Sequence, residues 1–444
     1  MNEPAPSRVR LFRLTQILGW VLLGVMAIGG GLLGEVCGGE FDPDAAHRIR
    51  LWQACYAVGF IGFVALLWSF SRRPPRPAII ILGAIALRIP LLFAPPNTDC
   101  NRYIWEGRVQ NLGFSPYLVA PDADELKPHR DVIYDCINHK EYTTIYPPLS
   151  LLFFRLLAAI DYSIKSPQIA HGLLDMLIVI ALVGLVKTLN RPIWQAGIYA
   201  FCPMVLASFA HAGHNDSLMI LPLIGFIAAA LKQRWKLAGF LLGLAVLAKT
   251  TSVILFALLL RRSWRAIAVG LLTILAGYAL FWDSGRGLLH TLIRFPSESP
   301  FNNPFDALRV WIRQVGGPAM YLSQRNILAA VVLSAIALYH AWRPADLVRD
   351  ARRLLAITVL FLPIIHFWYL TWPLALIALC PRGYWSWLVL AGTMALYWHA
   401  DWAATVGQPW KLPLWAVMAI WIPFWVAWGM ERRLRPGPPS QSAR

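Results

Sequence analysis

The chain has 444 residues, 58% hydrophobic and only 14% charged, with 40 Lys and Arg against 23 Asp and Glu for a formal net charge of +17. Soluble domains carry roughly 25% charged residues, so this composition, with a mean hydropathy of +0.54, excludes an ordinary soluble enzyme and describes a polytopic membrane protein. The positive charge does not imply nucleic acid: the bases form short clusters between apolar runs (Arg72, Arg73 and Arg76; Lys232, Arg234 and Lys236; Arg261, Arg262 and Arg265; Arg432, Arg433 and Arg435), which is how cytoplasmic ends of spanning segments are marked and supplies no single basic face.

The expected fold is therefore all-α, a bundle of spanning helices. The N-terminus is basic and leads into an apolar run too long for a signal-peptide core, so it reads as a first span. Spans are predicted near 12–34, 51–70 and 77–95, with acidic Glu35, Glu40, Asp42 and Asp44 outside and a basic turn inside. A polar stretch from Asn97 to Pro148 follows on the outer side. Its length, about fifty residues, marks a functional or disordered loop, and Trp105, Phe114, Tyr117, Tyr134 and Tyr146 argue for order because aromatic residues at this density bury surface. Cys100 and Cys136 share this loop, where a disulfide can persist; a staple between them and two unpaired thiols both fit the sequence.

The short apolar run after Pro148 carries Arg155 and reads as a re-entrant or interfacial helix, because Lys187 and Arg191 place the end of the next span, 167–187, inside. Spans near 193–209, 217–231, 235–249, 251–260 and 264–282 then alternate to a second outer loop, 283–322, which holds Arg286, His290, Arg294, Glu298, Asn302, Asn303 and Asp306. Spans near 323–341, 354–367, 369–381, 384–399 and 412–429 complete the chain, with a basic tail, 430–444, inside. About fourteen spans result if each run crosses a core of about 30 Å, with both termini on one side. The division expected is a two-span hairpin, 1–76, followed by a catalytic membrane domain, 77–429.

This topology gathers polar residues that are distant in sequence. Asp99, at the outer end of the third span, is placed as a general base needs to be, where a carboxylate meets a hydroxyl. Arg102, Tyr103, Glu106 and Arg108 follow at helical spacing, making a short amphipathic interface helix, and Tyr146 closes the loop. His214, Asn215 and Asp216 reach the same face, as do Lys249 and the pair His366 and Tyr369 beside Trp368. Arg88 lies within the third span, where a cation is costly and so a functional candidate; snorkelling to the head groups accounts for it equally. Asp42-Pro-Asp44 and Asp122-Ala-Asp124 match a two-acid metal pattern that arises easily by chance, and no phosphate-cradling glycine loop or dinucleotide fingerprint occurs. No metal or other cofactor is expected.

The string Asp99-Cys-Asn-Arg102-Tyr103-Ile-Trp105-Glu106-Gly107-Arg108, then Gly113-Phe-Ser-Pro116-Tyr117, Ile137-Asn138 and Tyr146-Pro147-Pro148, resembles the first outer loop of polyprenyl-phosphate-sugar-dependent glycosyltransferases of the GT-C fold. His214-Asn-Asp216, Leu247-Ala-Lys249 and His366-Phe-Trp368-Tyr369 are similar, in the same order, to later motifs of the bacterial branch that includes polyprenol-phosphate-mannose-dependent mannosyltransferases. The resemblance implies a GT-C-like bundle of 12–14 spanning helices with a long catalytic outer loop and short interfacial helices. It implies Asp99 as the base that takes the acceptor proton, Arg102 and Tyr103 lining the same cleft, and Lys249 and His366 facing the donor phosphate. Its partners would be a polyprenyl-phosphate sugar, a glycan or glycolipid acceptor and the bilayer of a plasma (inner) membrane. Cys100-Asn101 and Glu106 depart from that pattern. Two other readings share these features: a transporter or flippase of lipid-linked glycans, which would place polar residues near the midplane, and a polymerase or ligase that moves whole glycans.

Overall fold

The computed structural model describes residues 6–33, 43–285, 287, 288, 291, 301–305, 318–343, 345–380, 383 and 385–433. In chain order its helices are α1 (Pro6–Leu32), α2 (Pro43–Arg72), α3 (Pro77–Leu91), α4 (Asp99–Asn111), α5 (Pro148–Ile160) and α6 (Lys165–Thr188). Next come α7 (Ile193–Ala200) and α8 (Pro203–His211), then α9 (Ser217–Leu231), α10 (Trp235–Ala248) and α11 (Trp264–Ala279). The last six are α12 (Pro318–Trp342), α13 (Leu347–Phe361), α14 (Thr371–Ile377), α15 (Trp385–Thr393), α16 (His399–Thr405) and α17 (Leu414–Arg433). Among the described residues the only β pairing is an isolated bridge between Phe301 and Ile364, so the all-α expectation holds.

Local chemistry explains several boundaries. Pro77 and Pro148 open α3 and α5, where a missing N–H leaves no intrahelical bond unmade. Ser263 and Asp346 cap α11 and α13 by accepting from Ala266 N and Arg349 N, and such caps stabilise by about 1 kcal/mol.

Val9–Leu32, Asp44–Arg72, Lys165–Thr188 and Leu414–Arg433 are each long and apolar enough to cross a membrane, which makes this a multi-pass chain. Helices α7 and α8 meet at 49° and together are apolar and long enough for a broken span or a re-entrant loop. Among the described residues, further apolar helices or helix portions run 10–17 residues, including Ala329–Trp342 within α12. Other predicted spans fall on these shorter helices, and the runs read as 193–209, 369–381 and 384–399 contain proline, 3₁₀ turns or bends, which a hydropathy window does not register.

Buried polar side chains serve carbonyls before the break at Cys202-Pro203 and at the far end of α8. The Arg88 guanidinium donates to Ala200 O at 2.9 Å, and the Gln168 amide donates to Ala210 O and His211 O at 3.0 and 2.8 Å. A broken helix at membrane depth is tolerated only when such partners exist. The first two helices pack onto this core: Trp20 stands edge-on to Phe201 at 5.0 Å, Trp52 stacks on His211 at 4.4 Å, and the Tyr56 hydroxyl donates to Ala391 O at 2.6 Å.

Both ends of α5 stay at one end of the bundle. Near its start, Ser150 Oγ donates to Ala248 O at 2.9 Å; just past its end, Lys165 Nζ donates to Leu92 O at 2.8 Å and to Ala94 O. With 13 residues it lies along that end, as the parity of the flanking spans requires. It packs on α4 through Gly107, where an added Cβ would stand 2.1 Å from Phe154 O. Gly107→Ala should therefore lower the melting temperature of the detergent-solubilised protein markedly, whereas Gly184→Ala, which meets nothing within 4 Å, should leave it unchanged; equal melting of the two would refute the close packing of α4 on α5.

A Cys100–Cys136 staple is not formed. Cys100 is buried and in no disulfide, turned by the first turn of α4 toward Ala212 O and Gly213 O at 3.5 and 3.6 Å, while Cys136 is disulfide-bonded.

Candidate functional site

Asp99 opens α4, its backbone N–H donating to Asn97 Oδ1 at 2.9 Å. The Asn97 N–H donates to Ala212 O at 3.1 Å, so the start of α4 is tied to the end of α8. Gly213 makes that junction possible: its φ is +74°, and a Cβ there would meet Cys100 Sγ at 2.8 Å and Gln168 Cα at 3.0 Å. Only glycine tolerates both the left-handed backbone and the crowding. The turn delivers His214, whose Nδ1 lies 3.4 Å from Asp99 Oδ2. Asn138 Nδ2 donates to Asp99 Oδ1 at 3.4 Å from the other side. The carboxylate is 21% exposed, the imidazole fully buried.

Arg102 and Glu106 hold the segment that carries Asn138. Arg102 Nε donates to Glu106 Oε1 at 2.6 Å, and its two terminal nitrogens donate to His139 O and Tyr142 O at 3.0 and 2.6 Å. The Thr144 hydroxyl donates to the second Glu106 oxygen at 2.7 Å. Burial pushes the Glu106 carboxyl up, and Arg102 and Thr144 offset this only in part. Beside them Tyr103 stacks on Phe154 at 4.6 Å and stands edge-on to Tyr146 at 5.3 Å.

The second half of the site assembles where α9 begins and α10 ends. Asp216, fully buried, accepts at one oxygen from Lys249 Nζ at 2.7 Å and from the Trp372 indole N–H at 2.6 Å. Lys249 stands where the backbone leaves the helix (φ −154°, ψ 116°), and its ammonium lies 4.3 Å from the Tyr369 ring centre and 5.1 Å from that of Trp372. Asn215 Nδ2 donates to Ser150 Oγ at 3.4 Å. The two halves join through rings: His214 stacks on Trp368 at 3.4 Å, Trp368 on His366 at 4.1 Å, and His366 stands edge-on to Tyr369 at 5.4 Å. His366 Nδ1 and the Tyr397 hydroxyl share a hydrogen bond of 2.6 Å.

Asp99, His214, Asn215, Asp216, Lys249, His366 and Tyr369, read as distant candidates, thus fall in one cluster, with Arg102, Tyr103, Glu106 and Tyr146 packed around the loop beside it. Two candidates lie elsewhere. Arg88 is buried against Asp175, Nε to Oδ2 at 2.7 Å. Arg108 pairs with Asp131 and lies over the Tyr162 ring at 4.8 Å. Arg286, His290, Arg294, Glu298 and Asp306 lie outside the described residues, while Asn302 and Asn303 anchor the second loop to Ile365 O and Leu362 O at 3.1 and 2.8 Å. Among the described residues no three His, Cys, Asp or Glu side chains group as a metal would require.

Burial raises the Asp99 carboxyl, but the hydrogen bond and charge of His214, the charge of His366 and the Asn138 amide outweigh it, so the group rests below its ordinary value of 3.8. A carboxylate serving as a general base acts ionised, so in that role Asp99 would contribute above the unfolded value and fail only as pH falls through the lowered folded one; the associated stability is lost over the same acidic window. The acid limb of kcat/KM should accordingly lie below the ordinary carboxylate range. In His214→Phe, where burial remains and the imidazole is gone, the limb should move to higher pH. An unmoved limb would sever Asp99 from His214.

Residues 144–363 match the family model of Glycosyltransferase family 87, a GT-C-type family. The matched segment includes His214, Asn215, Asp216 and Lys249; Asp99 precedes it and His366 follows it. The match indicates a glycosyltransferase. No curated protein matches the chain.

Proposed function

We propose that this chain is an integral-membrane glycosyltransferase that moves a hexose, in the first instance mannose, from a polyprenyl-phosphate donor to a hydroxyl of a glycan or glycolipid acceptor, with inversion, at the extracytoplasmic face of a plasma (inner) membrane. The observation that carries this reading is the partly exposed Asp99 carboxylate, held ionised by His214 and Asn138 at the same end of the bundle as the Lys249 ammonium. Asp99 takes the proton of the acceptor hydroxyl as its oxygen bonds to the anomeric carbon. The bond from that carbon to the phosphate oxygen breaks, and its electron pair leaves with the lipid phosphate. Negative charge then grows on the phosphate, where a preorganised cation contributes most; Lys249, 20% exposed beside Asp216, is the cation assigned to it. Arg102 and Glu106 act indirectly, by holding the loop that brings Asn138 to the base. A transporter would gather its polar groups near the bilayer midplane, whereas these collect where helices end.

The test is transfer of label from polyprenyl-phosphate mannose, and from a panel of other polyprenyl-phosphate hexoses, to a membrane-lipid and glycan acceptor extract by the purified protein, with the anomeric configuration of the product read by NMR. Label in a product of inverted configuration supports the reading. Failure with every donor, together with translocation of a lipid-linked glycan in reconstituted vesicles, would replace it with transport.

A further inference from the structure

The ring row that starts at Asp99 does not stop at His366. Beyond the His214–Trp368 and Trp368–His366 stacks, His366 stacks on Phe301 at 5.6 Å with 29° between planes, and Phe301 stacks on Trp410 at 4.2 Å with 19°. Phe301 and Trp368 are each 7% exposed, whereas Trp410 is 44% exposed. A buried, packed row therefore fixes where one open indole stands relative to the proposed base. Trp410 lies in the connection between α16 and α17, and its indole N–H donates to Asp401 Oδ1 at 2.6 Å.

Building on the transfer reading above, we propose that Trp410 and Asp401 form a distal subsite for the acceptor, a platform on which a saccharide ring of a glycan stacks while a hydroxyl elsewhere on the same glycan reaches Asp99. One face of a hexose ring is lined with C–H groups, and these suit the negative face of an indole through weak C–H contacts. The ring's edge carries hydroxyls, which suit a carboxylate. Trp410 already lies flat on Phe301, so its opposite face is the one left to meet a ligand. A tryptophan that only anchors a helix at the membrane interface keeps its N–H for water and head groups; here Asp401 takes it and fixes the ring.

The experiment is saturation-transfer NMR with the purified full-length protein and two probes, linear mannotriose and maltotriose. Ring C–H protons of at least one probe should receive saturation from wild type and from Asp99→Asn, lose it in Trp410→Ala and regain it in Trp410→Phe. The acceptor KM should rise about tenfold in Trp410→Ala with the donor KM unchanged. Equal saturation with wild type and Trp410→Ala, or none from either probe, overturns the platform. Should Trp410→Ala not fold, Asp401→Ala, which removes the acceptor of the indole N–H and leaves the ring, gives the same test through loss of saturation. The two readings fail separately: label transfer with unchanged saturation in Trp410→Ala removes the platform and leaves the enzyme, whereas lost saturation without label transfer from any donor leaves a saccharide site and removes the transferase.

Discussion

Asp99→Asn is expected to express and bind donor as wild type does while transferring sugar about 10²–10⁴-fold more slowly, the usual cost of removing a general base. The amide matches the carboxylate in shape and, being partly exposed, adds no buried group without a partner. It accepts no proton at any pH in range. The loss should thus appear in kcat and kcat/KM alike, the pattern of an interaction made only in the transition state. Turnover within a few-fold of wild type would move the base elsewhere, and Glu106, whose carboxyl burial raises, would be the next group to substitute.

Asp175→Ala should act through the fold. Its carboxylate is fully buried and Arg88 is 3% exposed, so the substitution strands a guanidinium inside the bundle. Removing one partner of a buried pair costs about 3–5 kcal/mol, a large share of the ~5–15 kcal/mol that holds a typical protein folded. The yield of monodisperse protein and its melting temperature should fall steeply, and turnover per folded molecule should hardly change. Replacing both partners, Arg88→Met with Asp175→Leu, should recover much of the stability, although Ala200 O then loses its donor. A stable Asp175→Ala protein with lowered kcat would instead bring Arg88 into the chemistry.

These variants also show which residues were legible before the structure. Asp99, His214, Asp216, Lys249 and His366 were readable because polar groups flanking long apolar runs are few, and charge parity assigns each to one end. Arg88 stood out for the same reason, yet its partner did not: Asp175 is a lone acid in an apolar run, and only the packing of α3 on α6 pairs them. Asn138, Ser150 and Trp372 were missed as site residues because amides, hydroxyls and indoles are common in loops and helix ends; what singles them out is a partner more than thirty residues away. The breaks in the helices were hidden too. Hydropathy registers that a stretch is apolar, and the bend at Pro203 depends on Arg88 being near enough to donate to Ala200 O.

The helices around the site have 14–16 residues in α3, α9, α10 and α11, about 21–24 Å of helix against a hydrocarbon core of about 30 Å. Asp216 and Lys249 stand at the start of α9 and just past the end of α10, two helices shorter than that core. Where helices of this length alone face the lipid, the bilayer thins or dimples over them, at a modest cost for each ångström of mismatch. On the transfer reading proposed above, a lipid-borne phosphate would react there without being lifted out of the membrane.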